Sequence, residues 1–140
     1  LKKMKRAGVV SQSTQMIENV NEILNILSEK IYDLRFVNTI CYPTRRNHEQ
    51  IKKLADTCDL MVVIGSYTSA NSKRLTQLSL ARNKNSFQVT CADELKKSWF
   101  SNIGSVGISA GASTPDDLIA DVISKVKIFS KIKVKEEIYE

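Results

Sequence analysis

Apolar and polar positions alternate along this chain with two different periods, and the changes of period mark its elements. Ala7 to Ser11 and Tyr32 to Val37 read as strands, and Leu60 to Ile64 is an unbroken apolar run. An uninterrupted run of that length between helical patterns is what a strand buried on both faces looks like, so the sheet is expected to be parallel. Phe87 to Thr90 and Ile103 to Ile108 read as further strands, with Ala92 to Trp99 a short helix between them. In the intervals the period lengthens to that of a helix. Met16, Ile17, Val20, Ile23, Leu24 and Leu27 fall on one face, and Ile51, Leu54, Ala55 and Cys58 on another, in a helix ending near Asp56 to Asp59. Leu75 and Leu78 lie in a third helix, and Leu118, Ile119, Val122, Ile123 and Val126 give a fourth its buried side. From Phe129 onward Lys alternates with Ile and Val, as in an edge strand or an arm lying on another surface.

The order strand, loop, helix recurs about five times, which predicts an α/β three-layer sandwich with a mostly parallel sheet. In such sheets ligands bind outside the carboxyl ends of the strands. Four polar loops are assigned to that edge: Gln12 to Thr14, Cys41 to Thr44, Ser66 to Ser72, and Ser109 to Thr114. Pro43 is placed in its loop, where it keeps the next helix from starting early. Thr114 is read as an N-cap, with Pro115 at the first helical position and Asp117 in the capping-box place.

Composition narrows the classes of function. With 42% hydrophobic and 26% charged residues the chain reads as a globular protein. Its apolar runs are too short to cross a bilayer, so no membrane span is expected. The net charge of +6 is gathered toward the ends, at Lys2, Lys3, Lys5 and Arg6 and again at Lys125, Lys127, Lys131, Lys133 and Lys135. With few aromatics and no nucleic-acid-binding signature, that distribution reads as a solvated basic rim, and no nucleic-acid partner is expected. Cys41, Cys58 and Cys91 make no Cys-x-x-Cys pair, which points to a reducing compartment.

Hydroxyl and amide side chains at helix N-termini, with free backbone N–H groups and the helix dipole behind them, suit a phosphate or diphosphate. Equally, each loop taken alone needs to do no more than cap its helix. Gly65 and Gly111 permit close backbone approach or unusual dihedrals. Neither a Walker loop nor a Gly-x-Gly-x-x-Gly pattern is present in the sequence, so ATP and NAD are not indicated. Cys41, between a strand and a helix N-terminus, is placed where a thiolate gains from the helix dipole and could ligate a metal; the alternative is a small packed hydrophobe. His48 is read as a surface or capping residue, and Cys58 as core packing; Cys91 has no partner at metal-ligand spacing.

Four segments together carry a family resemblance: Val9-Val10-Ser11-Gln12-Ser13-Thr14, Thr39-Ile40-Cys41-Tyr42-Pro43-Thr44, Gly65-Ser66 with Ser69-Ala70-Asn71-Ser72, and Gly107-Ile108-Ser109-Ala110-Gly111-Ala112-Ser113 with Pro115. In order and spacing, up to about Val126, the chain resembles the later half of the LytB (IspH) family of 4-hydroxy-3-methylbut-2-enyl diphosphate reductases. That family surrounds a 4Fe-4S cluster with three α/β modules, each giving one cysteine. The resemblance implies that Cys41 is the third module's metal ligand. It also implies that Gln12, Ser13, Thr44, Ser69, Asn71 and Ser113 line the substrate pocket, with Ser69, Asn71 and Ser113 holding the diphosphate. The expected reaction is reductive dehydroxylation of 4-hydroxy-3-methylbut-2-enyl diphosphate to isopentenyl and dimethylallyl diphosphate, with electrons from a ferredoxin or flavodoxin.

On that resemblance residues 1–33 are the last strand-helix unit of a preceding module, 34–128 a complete third module, and 129–140 a tail that docks on the first module. The other two cluster cysteines and the proton-donating glutamate belong to the earlier half of the family, so no catalytic residue is expected within this chain and it should be inactive alone. The implied compartment is bacterial cytoplasm or a plastid-type organelle. Ala70 stands where the family usually has a second serine, Arg45 to His48 replaces a more usual Thr-Asn-Arg-Gln run, and Ser13 stands for a threonine. The alternative from a different class is a free-standing phosphate-binding α/β module without catalysis.

Overall fold

In a computed structural model that describes residues 3–130, the chain separates into two compact units, Leu1–Arg46 and Asn47–Glu140. The first contains β1 (Met4–Val10), α1 (Ile17–Ser28) and β2 (Ile31–Val37), and the strands pair in parallel from Met4 opposite Ile31 to Val10 opposite Val37. The sequence reading closes its first part at residue 33, inside what is β2. The whole of β2 pairs with β1.

On α1 the apolar stripe is only partly used: Val20 is buried while Ile23 and Ile26 are exposed. A two-stranded sheet is too narrow to cover a wide helical face, and Val10, Tyr32 and Val37 on the strands are exposed as well. Tyr32 reaches 97% exposure. Gln12, Ser13 and Thr14 do not cap α1, whose N-cap residue Met16 makes no side-chain cap bond; they form a turn closed by Gln15 N–H donating to the Gln12 carbonyl at 3.0 Å.

α2 (Tyr42–Thr57) begins one residue after Cys41, so Pro43 lies in its first turn rather than in the loop. That position tolerates proline because its N–H would have no intrahelical partner there. β3 (Leu60–Ile64) is buried at every position, as its apolar run requires. It is the centre of a three-stranded parallel sheet, between β4 (Ser86–Val89) and β5 (Val106–Ala110). Alternation along β3 builds two cores in the second unit. Leu60, Val62 and Ile64 pack with Val89, Leu95, Phe100, Val122 and Val126, the last two from α4 (Asp116–Ser130). Met61 and Val63 pack on the other face with Ile51, Ala55 and Leu75, the last from α3 (Ala70–Leu80). Helices therefore cover both faces of the sheet, which is the three-layer arrangement expected from the sequence.

Three local expectations shift. The segment after β4 is two 3-10 turns, Ala92–Glu94 and Lys97–Phe100, rather than one short helix. They press Phe100 into the core and stack Trp99 on Phe87 with ring centroids 4.0 Å apart. β5 starts at Val106, not Ile103, because Gly104 and Ser105 are engaged by Asp59. The alternating tail lies beyond Ser130, outside the described residues, and α4 continues through Phe129.

Asp59 joins the start of β3 to the chain just before β5. Its carboxylate accepts from the N–H of Gly104 and of Ser105, each at 2.9 Å, and from the Ser105 hydroxyl at 3.1 Å. The Gly104 N–H foremost, then the Ser105 donors, hold its pKa below the usual carboxylate value. A depressed folded pKa means that this stabilisation is present above the unfolded pKa and is lost as pH falls through the folded one. Asp59→Asn is accordingly expected to melt below the parent at neutral pH, with the gap closing on acidification through the carboxylate range. A gap independent of pH in a melting-temperature series would contradict the assignment.

Candidate functional site

The four polar loops emerge at the carboxyl ends of strands, but of two sheets. Gln12 to Thr14 and Cys41 to Thr44 follow β1 and β2 in the first unit; in the second, Ser66 to Ser72 follows β3, and Ser109 to Thr114 begins in the last two residues of β5 and continues past its end. The expectation of a single edge is corrected to two pairs, each pair tied internally.

In the first unit the Thr39 hydroxyl accepts from Ser11 N–H at 2.9 Å and also bonds to the Ser11 carbonyl. Cys41 N–H donates to the Ser13 carbonyl at 3.1 Å, so the loop carrying Gln12 and Ser13 is fastened to the one carrying Cys41 and Thr44. Gln12 and Ser13 are exposed and Thr44 is buried. Cys41 occupies the N-cap position of α2: its carbonyl accepts from Arg45 N–H at 3.1 Å, and its exposed thiol lies 2.8 Å from the Thr44 hydroxyl. The Thr44 hydroxyl, followed by Thr44 N–H, holds the thiol below its ordinary pKa. The packed-hydrophobe reading of Cys41 is therefore set aside, since the group is open and its thiolate is stabilised. Cys58 is the opposite case, half-buried and pushed up by that burial. His48 is buried on α2 rather than at the surface.

The second pair is tighter. Gly65 N–H donates to the Val89 carbonyl and Gly111 N–H to the Ile64 carbonyl, both at 2.9 Å, which fixes where the chain leaves β3 and β5. Ser69 caps α3, its hydroxyl accepting from Ser72 N–H at 3.3 Å. Asn71 lies in the first turn of α3, and neither its Nδ2 nor its Oδ1, both buried, has a hydrogen-bond partner. An amide left so costs free energy unless something else satisfies it. Ser113 is exposed in a turn closed by Thr114 N–H donating to the Gly111 carbonyl at 2.9 Å. Thr114 is not the N-cap expected of it: its hydroxyl donates to the Ile64 carbonyl at 3.2 Å, and the helix is entered through Pro115, whose carbonyl accepts from Ile119 N–H. Asp117, assigned the capping-box place, accepts from the next residue, Leu118 N–H. Neither Gly65 nor Gly111 has a positive φ, so their need is for space and not for unusual dihedrals.

Sequence reasoning missed the residues that brace these loops. Gln88 on β4 donates to the carbonyls of Gly65 and Ser66, at 3.0 and 3.1 Å, while accepting from the Thr76 hydroxyl at 3.0 Å. Glu94 accepts from Thr90 N–H at 2.7 Å and from the Tyr67 hydroxyl at 2.8 Å, which anchors the Ser66 loop by its tip. A polar residue on an edge strand gives no sign in sequence of which loop it will reach.

Fold and loops together define a parallel α/β protein of the kind that takes its ligands at the carboxyl ends of its strands. The chain belongs to the LytB protein family, whose model matches residues 1–127. It is 38% identical over 133 residues to the 4-hydroxy-3-methylbut-2-enyl diphosphate reductase of Geotalea uraniireducens, covering 95% of this chain and 47% of that protein. To the reductase of that name from Campylobacter jejuni subsp. jejuni it is 44% identical over 124 residues, covering 89% of this chain and 45% of the relative. A solved structure of (E)-4-hydroxy-3-methyl-but-2-enyl diphosphate reductase, described as the terminal enzyme of the non-mevalonate pathway, superposes with a TM-score of 0.64 at 39% identity, over 90% of this chain and 45% of that one. The reductase of Plasmodium falciparum shares the fold over the whole chain and 46% of its own length, with a TM-score of 0.85 at 23% identity. The chain thus spans less than half the length of the relatives it matches.

Proposed function

We propose that this chain is the carboxyl-terminal part of an iron-sulfur reductase acting on 4-hydroxy-3-methylbut-2-enyl diphosphate. The observation that carries the reading is Asn71, whose buried amide is unpartnered at both ends beside the Ser69 cap and the Gly111 turn. Such an amide offers both a donor and an acceptor to a ligand, and a diphosphate at the N-terminus of α3 would take the donor while the helix dipole favours its charge. Ser69 and Ser113 add hydroxyls in the same unit, and the family pattern would give Gln12, Ser13 and Thr44 substrate-binding roles as well. Ala70 contributes no hydroxyl, so the diphosphate has one donor fewer than the family pattern.

The donor chemistry of Cys41 fits one ligand of a 4Fe-4S cluster: an exposed thiol at a helix N-terminus with its thiolate stabilised by Thr44. The remaining ligands and the proton-donating glutamate would come from the earlier half of the enzyme, as the family pattern implies. With Cys41 as one ligand, a bound cluster would supply the two electrons, drawn from a ferredoxin or flavodoxin, that together with two protons release the substrate hydroxyl as water. The chain's own residues bind and orient the diphosphate. Exposed Ile23, Ile26, Val10 and Val37 in the first unit support an earlier half packing there. The tail would dock on the first module. Alone, the chain would be inactive, and a reducing compartment, bacterial cytoplasm or a plastid-type organelle, suits the thiolate.

The test is anaerobic reconstitution of the full-length protein with iron and sulfide. Cys41→Ser is expected to abolish the visible absorption of the 4Fe-4S cluster and turnover of the diphosphate substrate, whereas Cys58→Ser keeps both. Retention of cluster and turnover in Cys41→Ser would falsify the ligand assignment. Undiminished pyrophosphate binding with no cluster in the parent protein would favour a free-standing anion-binding module.

A further inference from the structure

Ser72 follows Asn71 in the first turn of α3, is 2% exposed, and its hydroxyl lies against the turns that leave β3 and β5. Its surroundings there are two glycines. A Cβ at Gly111 would stand 2.5 Å from the Ser72 hydroxyl, with Thr114 Oγ1 at 3.4 Å and Asn71 Nδ2 at 3.8 Å. A Cβ at Gly65 would overlap the same hydroxyl and stand 2.8 Å from Ser72 Cβ. Both glycines are pinned through their N–H groups to the sheet, at the Val89 and Ile64 carbonyls. Ser72 is itself held from both sides, its N–H donating to the Ser69 hydroxyl and its carbonyl accepting from the Thr76 hydroxyl at 2.9 Å.

We propose that Ser72 is a positioning residue: its side chain is a wedge in the slot between Gly65 and Gly111, and the fit sets the depth and rotation of the first turn of α3, hence the place of the Asn71 amide. The inference rests on the diphosphate reading of that amide and adds to it the part that aims it. Close-packed contacts of this kind tolerate neither a missing atom nor an extra one. At Gly111 the serine hydroxyl alone stands closer than ordinary van der Waals contact, so volume can be exchanged across the slot: a methyl at 111 takes the room of an oxygen removed at 72. At Gly65 the exchange fails, because Ser72 Cβ also stands in the way.

The experiment measures pyrophosphate affinity of the full-length protein by calorimetry, with the melting temperature beside it. Gly111→Ala is expected to weaken pyrophosphate binding by about tenfold and Ser72→Ala by about threefold, as contacting residues usually couple. The double variant Gly111→Ala with Ser72→Ala returns to within about threefold of the parent, while Gly65→Ala with Ser72→Ala does not recover. Should Gly111→Ala fail to fold, recovery of both a melting transition and pyrophosphate binding in its double variant is the supporting result. Changes confined to melting temperature, with affinity of the folded protein unmoved, would overturn the positioning role, as would equal rescue at both glycines or at neither. A parent that does not bind pyrophosphate, or whose binding is indifferent to Asn71→Ala, overturns the diphosphate reading itself and with it the wedge, and so is told apart from failure of the wedge alone.

Discussion

Leu75→Ala is expected to destabilise the unit formed by residues 47–140 by about 2–5 kcal/mol, near the upper range for a single substitution. Leu75 has no exposed surface and stands among Ile51, Ala55, Met61 and Val63, the layer between α3 and the sheet. Truncation removes three buried carbon atoms and leaves a cavity that the neighbours fill poorly, because Met61 and Val63 are fixed by strand pairing on both sides of β3. The control is Leu80 on the same helix, 45% exposed, whose replacement by alanine is expected to stay within about 0.5 kcal/mol. Urea unfolding of both variants decides the point. A loss under about 1 kcal/mol at Leu75 would mean that the layer relaxes around the missing side chain and that this core is not tightly packed.

The same packing explains what could be read from the sequence. β3 was legible because five consecutive apolar residues have no stable place other than between two layers, and α4 because Val122 and Val126 repeat at helical spacing. The place of Cys41 between a strand and a helix was legible, although the helix begins at Tyr42 and takes in Pro43, which the sequence reading left in the loop. Less legible was everything set by side chains that reach across the chain. The start of β5 depends on Asp59 holding Gly104 and Ser105, and Thr114 leaves its expected cap because the Ile64 carbonyl is within reach. Apolar periodicity marks β1 and β2 as strands but does not record that they pair with each other. Nor does it record that a serine fills the space two glycines leave; Ser72 reads in sequence as one more polar residue of a hydroxyl-rich loop.

Asn71→Ala is expected to separate binding from stability. If the amide is there for a diphosphate, its removal forfeits hydrogen bonds to a charged ligand, each worth about 1.5–3 kcal/mol, and pyrophosphate affinity should fall by about ten- to a hundredfold. In the free protein the same amide has two buried atoms with no partner, so its loss also removes a desolvation cost. Alanine is in addition a better helix former than asparagine in the first turn of α3. Melting temperature without ligand is therefore expected to hold or rise while affinity collapses, the opposite of what truncating a structural residue does. Asn71→Asp sharpens the test, since a carboxylate keeps the shape but repels an anion, and it should bind pyrophosphate no better than the alanine variant. Parallel calorimetry and thermal melts of the three proteins give the answer. A lowered melting temperature with affinity preserved would make Asn71 a structural residue whose partners form only in solution, and the diphosphate would have to be sought at another loop.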